Sequence, residues 1–260
     1  MTTISQPHIE ASTAEQAATH VAQRLTQQAG VGRFDRSVQI VAALCGILSP
    51  LLVMFAFFVL IIGSGFLPDF SAPLPDIAAH LAQHPTPAQV WAGVHLEFLG
   101  FLLLVVFIAY LWGVLRRAEG EAGWLSALAF AGGLMSVFLK VGSFAPMYPI
   151  LTHAGQPFNP ELARALGESN IAAFVLQQPA LGLLLLATAL IVIRTAALPR
   201  WLGYFAALAA ALSFVAVVVM GMAFPAWLVA QIWLMATSIA LLRQLGQPRP
   251  RALSAPASAR

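Results

Sequence analysis

The sequence predicts an all-α protein, a polytopic transmembrane helical bundle of six spans with both termini cytoplasmic. Three observations carry this reading: an extreme apolar composition, the length of the apolar segments, and a one-sided distribution of arginine. Of 260 residues, 60% are hydrophobic and 9% charged, and the mean hydropathy is +0.83. An ordinary soluble domain has about 25% charged residues. No soluble fold covers that much apolar surface, so mostly uncharged stretches of about 20 residues read as helices crossing the roughly 30 Å hydrocarbon core.

Six such segments follow one another, at about 37–63, 88–115, 122–145, 169–193, 201–223 and 225–243. The arginines sort between the loops as the positive-inside rule requires. Arg24, Arg33 and Arg36 precede the first span, and Arg116 and Arg117 follow the second. Arg194 and Arg200 separate the fourth and fifth, and Arg243, Arg249, Arg251 and Arg260 follow the sixth. Of the remaining basic residues, Arg164 falls in an opposite loop and Lys140 inside a span. A formal charge of +3 could suggest nucleic acid, but scattered flanking arginines are explained by topology, and no nucleic-acid partner is expected.

Residues 1–36 read as a polar cytoplasmic tail without a signal-peptide core, either disordered or a marginal Ala-rich helix for which Ser12 and Glu15 have capping-box spacing. Thr86 and Pro87 read as N-cap and first residue of the second span, and Pro225 opens the sixth. Trp124, Trp201 and Trp227 lie near span ends, where an aromatic belt forms. Two Pro-rich outer loops separate spans one and two and spans three and four; the first is expected to hold a short helix beginning at Asp76. Residues 244–260 read as a disordered tail, and 37–243 as one transmembrane domain. Cys45 is the single cysteine, so no intrachain disulfide forms.

An outer "DIAAHLAQH" helix, a span ending in "YLWGVLRRAEG", a Gly-rich third span and "LPRWLGYFAAL" at the start of the fifth follow in order. Together they resemble a group of uncharacterised six-span bacterial integral membrane proteins of unknown function, over most of residues 37–243. The resemblance implies the architecture and no catalytic residues.

Charges within spans are costly, about 2.5–3.5 kcal/mol each on insertion scales, and mark functional candidates. Glu97 lies roughly 13 Å below the outer end of the second span and Lys140 about 8 Å below that of the third. Lys140 shares a small, polar face with Ser126, Ala129, Gly133, Ser136 and Ser143, and Glu97 is flanked by Gly93 and Gly100, so the two faces can meet. Gln177 and Gln178, beside the span-breaking Pro179, and Gln231 fall at a similar depth and complete a candidate intramembrane polar site. Two readings stand: a hydrophilic cavity open to the outside, in which Glu97 takes protons or cations, or a buried ion pair that fixes helix register.

His95 lies about 200° from Glu97 around the helix, on the row of Trp91, and reads as a structural or interfacial histidine. Asp76, His80 and His84 share one face of the outer helix and form a weak metal pattern, which His153 could complete; Asp76 reads equally well as an N-cap. No HExxH, GxSxG or phosphate-cradling glycine loop occurs, and no cofactor is implied. Pro50 and Pro179 interrupt spans that would correspond in an inverted repeat, but the loop lengths do not match. Gly203, Ala206, Ala210 and Ser213 read as helix packing.

The expected function is therefore a non-enzymatic interaction or accessory component of the plasma (inner) membrane, in contact with the bilayer and with a protein partner or a second copy of itself. The alternative is a small proton-coupled or polar-solute transporter using Glu97 and Lys140.

Overall fold

The computed structural model describes residues 35–247. The capping-box pair at Ser12 and Glu15 and the C-terminal tail from residue 248 onward lie outside them. Among the described residues all regular structure is helical, and six helices are long and apolar enough to cross a membrane. Helix α1 runs Asp35–Ser64. It is followed by a short outer helix α2 (Leu74–Gln83), then α3 (Ala88–Glu119), α4 (Trp124–Gly142) and α5 (Phe144–His153). The chain continues through α6 (Pro160–Thr195), α7 (Arg200–Val218) and α8 (Ala223–Gly246).

Helix α6 is the central element: 67% of its most apolar window is buried inside the protein, against 39–50% for the other spans. It packs most extensively on α4 and α7. Small residues allow this. A Cβ on Gly132 would come within 2.8 Å of the Ala180 carbonyl oxygen and the Leu184 nitrogen, so α4 and α6 meet backbone to backbone there. On α3, Gly93 and Gly100 face Leu60, Ile61 and Val53, which seats α3 against α1. Gly133 faces Ile108 and seats α4 on α3.

The arginine-bearing end is closed by tight turns. Gly120 and Gly123 take positive φ (81° and 63°), and the Glu119 carboxylate accepts from the Leu125 and Ser126 amides at 2.9 and 2.8 Å, capping α4 in place of a local side chain. Trp124 and Trp201 are exposed at this end, as a belt requires. Trp227 is not: it is 5% exposed and packs inside the bundle against Phe57, Phe174 and Phe224.

The opposite end differs most from the sequence reading. The Pro-rich segment after the third span is helix α5, joined to α4 at Ser143, with Pro146 in its first turn and Pro149 inside it. Helix α6 begins at Pro160, about nine residues earlier than its apolar run, because Asn159 Oδ1 caps the Leu162 amide at 3.1 Å. Helix α2 starts at Leu74 with Pro73 as its N-cap, which places Asp76 in the first turn rather than at the cap. Thr86 caps nothing; its hydroxyl donates to the Leu151 carbonyl at 2.6 Å and ties the start of α3 to α5.

Ile77 and Leu81 of α2 bury against Met147 and Ile150 of α5 and Ala163 of α6, forming a helical cap. Arg164 secures it. Its guanidinium donates to the Phe70 carbonyl at 3.1 Å and to the Ala72 carbonyl, which explains the one arginine on this side of the bundle among the described residues.

A candidate solute site around Glu97 and Lys140

Glu97 is the tenth residue of α3 and Lys140 lies two residues from the end of α4. Their side chains are 1% and 10% exposed, and Lys140 Nζ stands 3.4 Å from Glu97 Oε1. Charge-assisted N–H···O bonds are normally about 2.7–2.9 Å. The contact is a long ion pair that does not meet hydrogen-bond geometry, and neither Glu97 oxygen accepts a hydrogen bond from any described residue. The ammonium also sits over the rings of Phe144 and Phe174, 5.2 and 5.4 Å from their centroids. Cation–π attraction thus shares the lysine with the carboxylate.

Asn170 of α6 completes the polar end of the site. Its Nδ2 donates to the Ser143 carbonyl at 2.8 Å, while the Ser143 hydroxyl donates to the Lys140 carbonyl at 2.6 Å. The joint between α4 and α5 is therefore fixed next to the charge pair.

The pair stands between two cavities. The larger, about 150 Å³, is lined by Glu97, Lys140 and Asn170 and otherwise by Phe57, Ile171, Phe174, Phe224 and Trp227. The smaller, about 60 Å³, lies toward the helical cap, with Leu67, Met147 and Leu151 in its wall. Phe57, Glu97, Lys140 and Asn170 line both. Phe57 belongs to a π-helical stretch of α1, Ala56–Ile61. Such stretches are rare and are frequent at functional sites.

The five intramembrane residues singled out from sequence do not form one layer. Glu97 and Lys140 share the outer cavities, whereas Gln177 and Gln231 line a third, of about 20 Å³, with Ser136. Gln178 is fully buried and lines none of the three; its Nε2 donates to the Phe174 carbonyl at 3.4 Å.

In the outer helix, His80 Nε2 is hydrogen-bonded to the Phe66 carbonyl and His84 Nδ1 to the His80 carbonyl, both at 2.8 Å, with the rings stacked 4.5 Å apart. Asp76 is exposed, and His153 Nδ1 bonds to the Pro149 carbonyl of its own helix. No three His, Cys, Asp or Glu side chains among the described residues are grouped as a metal site. His95 is exposed and bonded to the Trp91 carbonyl at 2.6 Å, away from Glu97.

The residues that sequence reasoning missed are the aromatic walls and Asn170. Aromatic residues in apolar spans carry no mark that separates a cavity wall from a core. Asn170 did carry a signal, as an amide at the edge of a span facing the depth of Lys140.

The family model described as "Domain of unknown function (DUF4386)" matches residues 40–246. No curated protein and no solved structure matches the chain.

Proposed function

The chain belongs to the DUF4386 family, and from that premise, which assigns no activity, we propose that it is a small-solute carrier. Its six apolar helices make it a multi-pass membrane protein. The carrier reading places it in the plasma membrane with the arginine-bearing end in the cytoplasm, on the positive-inside asymmetry.

One observation carries the reading: a buried carboxylate that accepts no hydrogen bond from the described residues faces a cavity of about 150 Å³. A buried ion pair is a good structural lock only when its geometry is excellent and its remaining lone pairs are satisfied. This pair meets neither condition. A cavity of that volume accommodates a molecule about the size of benzene.

The walls favour an aromatic or branched aliphatic body, and the pair, summing to zero charge, favours an uncharged head that both donates and accepts. The solute class is thus a small neutral amphiphile such as an alcohol or phenol. Glu97 supplies the group that takes up and releases a coupling proton. The second reading, a packing or accessory protein locked by the pair, draws support from the near-complete burial of both charges.

Benzyl alcohol, toluene and benzoate serve as probes in thermal unfolding of the purified protein. Benzyl alcohol should raise the melting temperature of the wild type more than toluene or benzoate does. Ile171→Trp, which fills the cavity from its exposed edge, should abolish that difference. Equal responses of the wild type to all three probes would contradict the proposal.

A further inference from the structure

The third cavity lies deeper than the charge pair. Ser136 is one turn inward of Lys140 on α4, Gln177 three residues inward of Phe174 on α6, and Gln231 one turn inward of Trp227 on α8. At 1.5 Å per residue this is roughly 5–6 Å in each case. Trp227 lines both this cavity and the larger outer one, so its indole is the wall between them.

The inner cavity is polar on three helices. Gln177 is 4% exposed, and its Nε2 has no hydrogen-bond partner among the described residues. The Ser136 hydroxyl donates to the Gly133 carbonyl at 2.9 Å, which leaves its oxygen free to accept. Gln231, 6% exposed, brings a second amide to the same space. An unpaired amide inside a membrane protein is costly, and a volume of about 20 Å³ exceeds the roughly 10–15 Å³ that one water needs.

We propose that Ser136, Gln177 and Gln231 bind a single water molecule behind Trp227, forming an inner solvent station in the bundle. The water accepts from Gln177 Nε2 and donates to Ser136 Oγ and to the Gln231 amide oxygen. The station does not depend on what occupies the outer cavity. If the carrier reading holds, it is the next place a proton released from Glu97 can go toward the arginine-bearing end. Farther inward on α6 and α8, the Thr188 and Thr237 hydroxyls are also buried without partners among the described residues.

Radiolytic hydroxyl labelling of the full-length protein, read by mass spectrometry, detects waters held beside buried side chains. Leu181 and Leu234 line the inner cavity, and Leu234, 1% exposed, is matched in burial by Leu185 and Leu115, both 0% exposed, which line none of the three cavities. The expected result is labelling of Leu181 and Leu234 several-fold faster than of Leu185 and Leu115. In Gln177→Leu/Gln231→Leu it should drop to the control rate. Equal rates in the wild type overturn the proposal, and so does fast labelling that survives the double substitution. The wild-type comparison stands even where the variant does not fold. Phe174, half-buried and lining the outer cavity but not the inner one, reports the outer cavity in the same experiment, so the two sites succeed or fail separately.

Discussion

Helices α4 and α6 meet in two different ways along one contact. Around Gly132 the α4 backbone lies directly on Ala180 and Leu184, with no room for a Cβ. Toward the capped end the same helices present Lys140, Asn170 and Phe174 to a cavity of about 150 Å³. In lipid, where apolar side chains gain little from leaving the solvent, close backbone approach supplies the packing energy. The tight half can therefore hold the helices in place while the open half carries polar groups that contribute little to packing. Stability and site are separated along one helix pair.

Forcing the tight half apart is the strongest way to break this contrast. Gly132→Leu places a branched side chain against main-chain atoms that cannot move aside. It should cost about 3 kcal/mol, the upper end for overpacking, measured by thermal unfolding in detergent. Tolerance of leucine there would show that the contact does not hold the bundle.

A smaller effect is expected at the cap. Arg164→Met removes the donors to the Phe70 and Ala72 carbonyls while keeping an apolar stem. About 2 kcal/mol should be lost locally, seen as faster hydrogen exchange over residues 66–83 with the exchange of α7 and of α6 beyond Val175 unchanged. Uniform acceleration across the protein would place Arg164 in the global core instead.

The spans were legible in the sequence because apolar length and arginine asymmetry are direct consequences of bilayer thickness and insertion. Glu97 and Lys140 were legible because a charge in an apolar run is expensive, and counting residues placed them at comparable depth. Helix α5 was not, since two prolines in "PMYPILTHAG" read as loop; yet Pro146 sits in the first turn, where its missing N–H costs nothing. The early start of α6 was missed because Glu161, Arg164 and Glu168 break the apolar run, although Asn159 followed by Pro160 is a cap signature. Depth alone also grouped Gln177 and Gln231 with Glu97. Side chains at neighbouring depths on several helices face different spaces, and which space each faces depends on helix rotation, which only packing sets.

The central claim is that the Glu97–Lys140 pair faces a solute cavity and does not lock the bundle. A double-mutant cycle with Glu97→Gln and Lys140→Met, read by thermal unfolding of the purified protein, tests it most directly. The account predicts that each single substitution costs less than about 1 kcal/mol, with a coupling energy no larger. So small a cost is expected of this buried pair because the cavity can admit water or a proton to the charge left behind. Single losses of about 3–5 kcal/mol that the double variant recovers would contradict it and make the pair a structural lock.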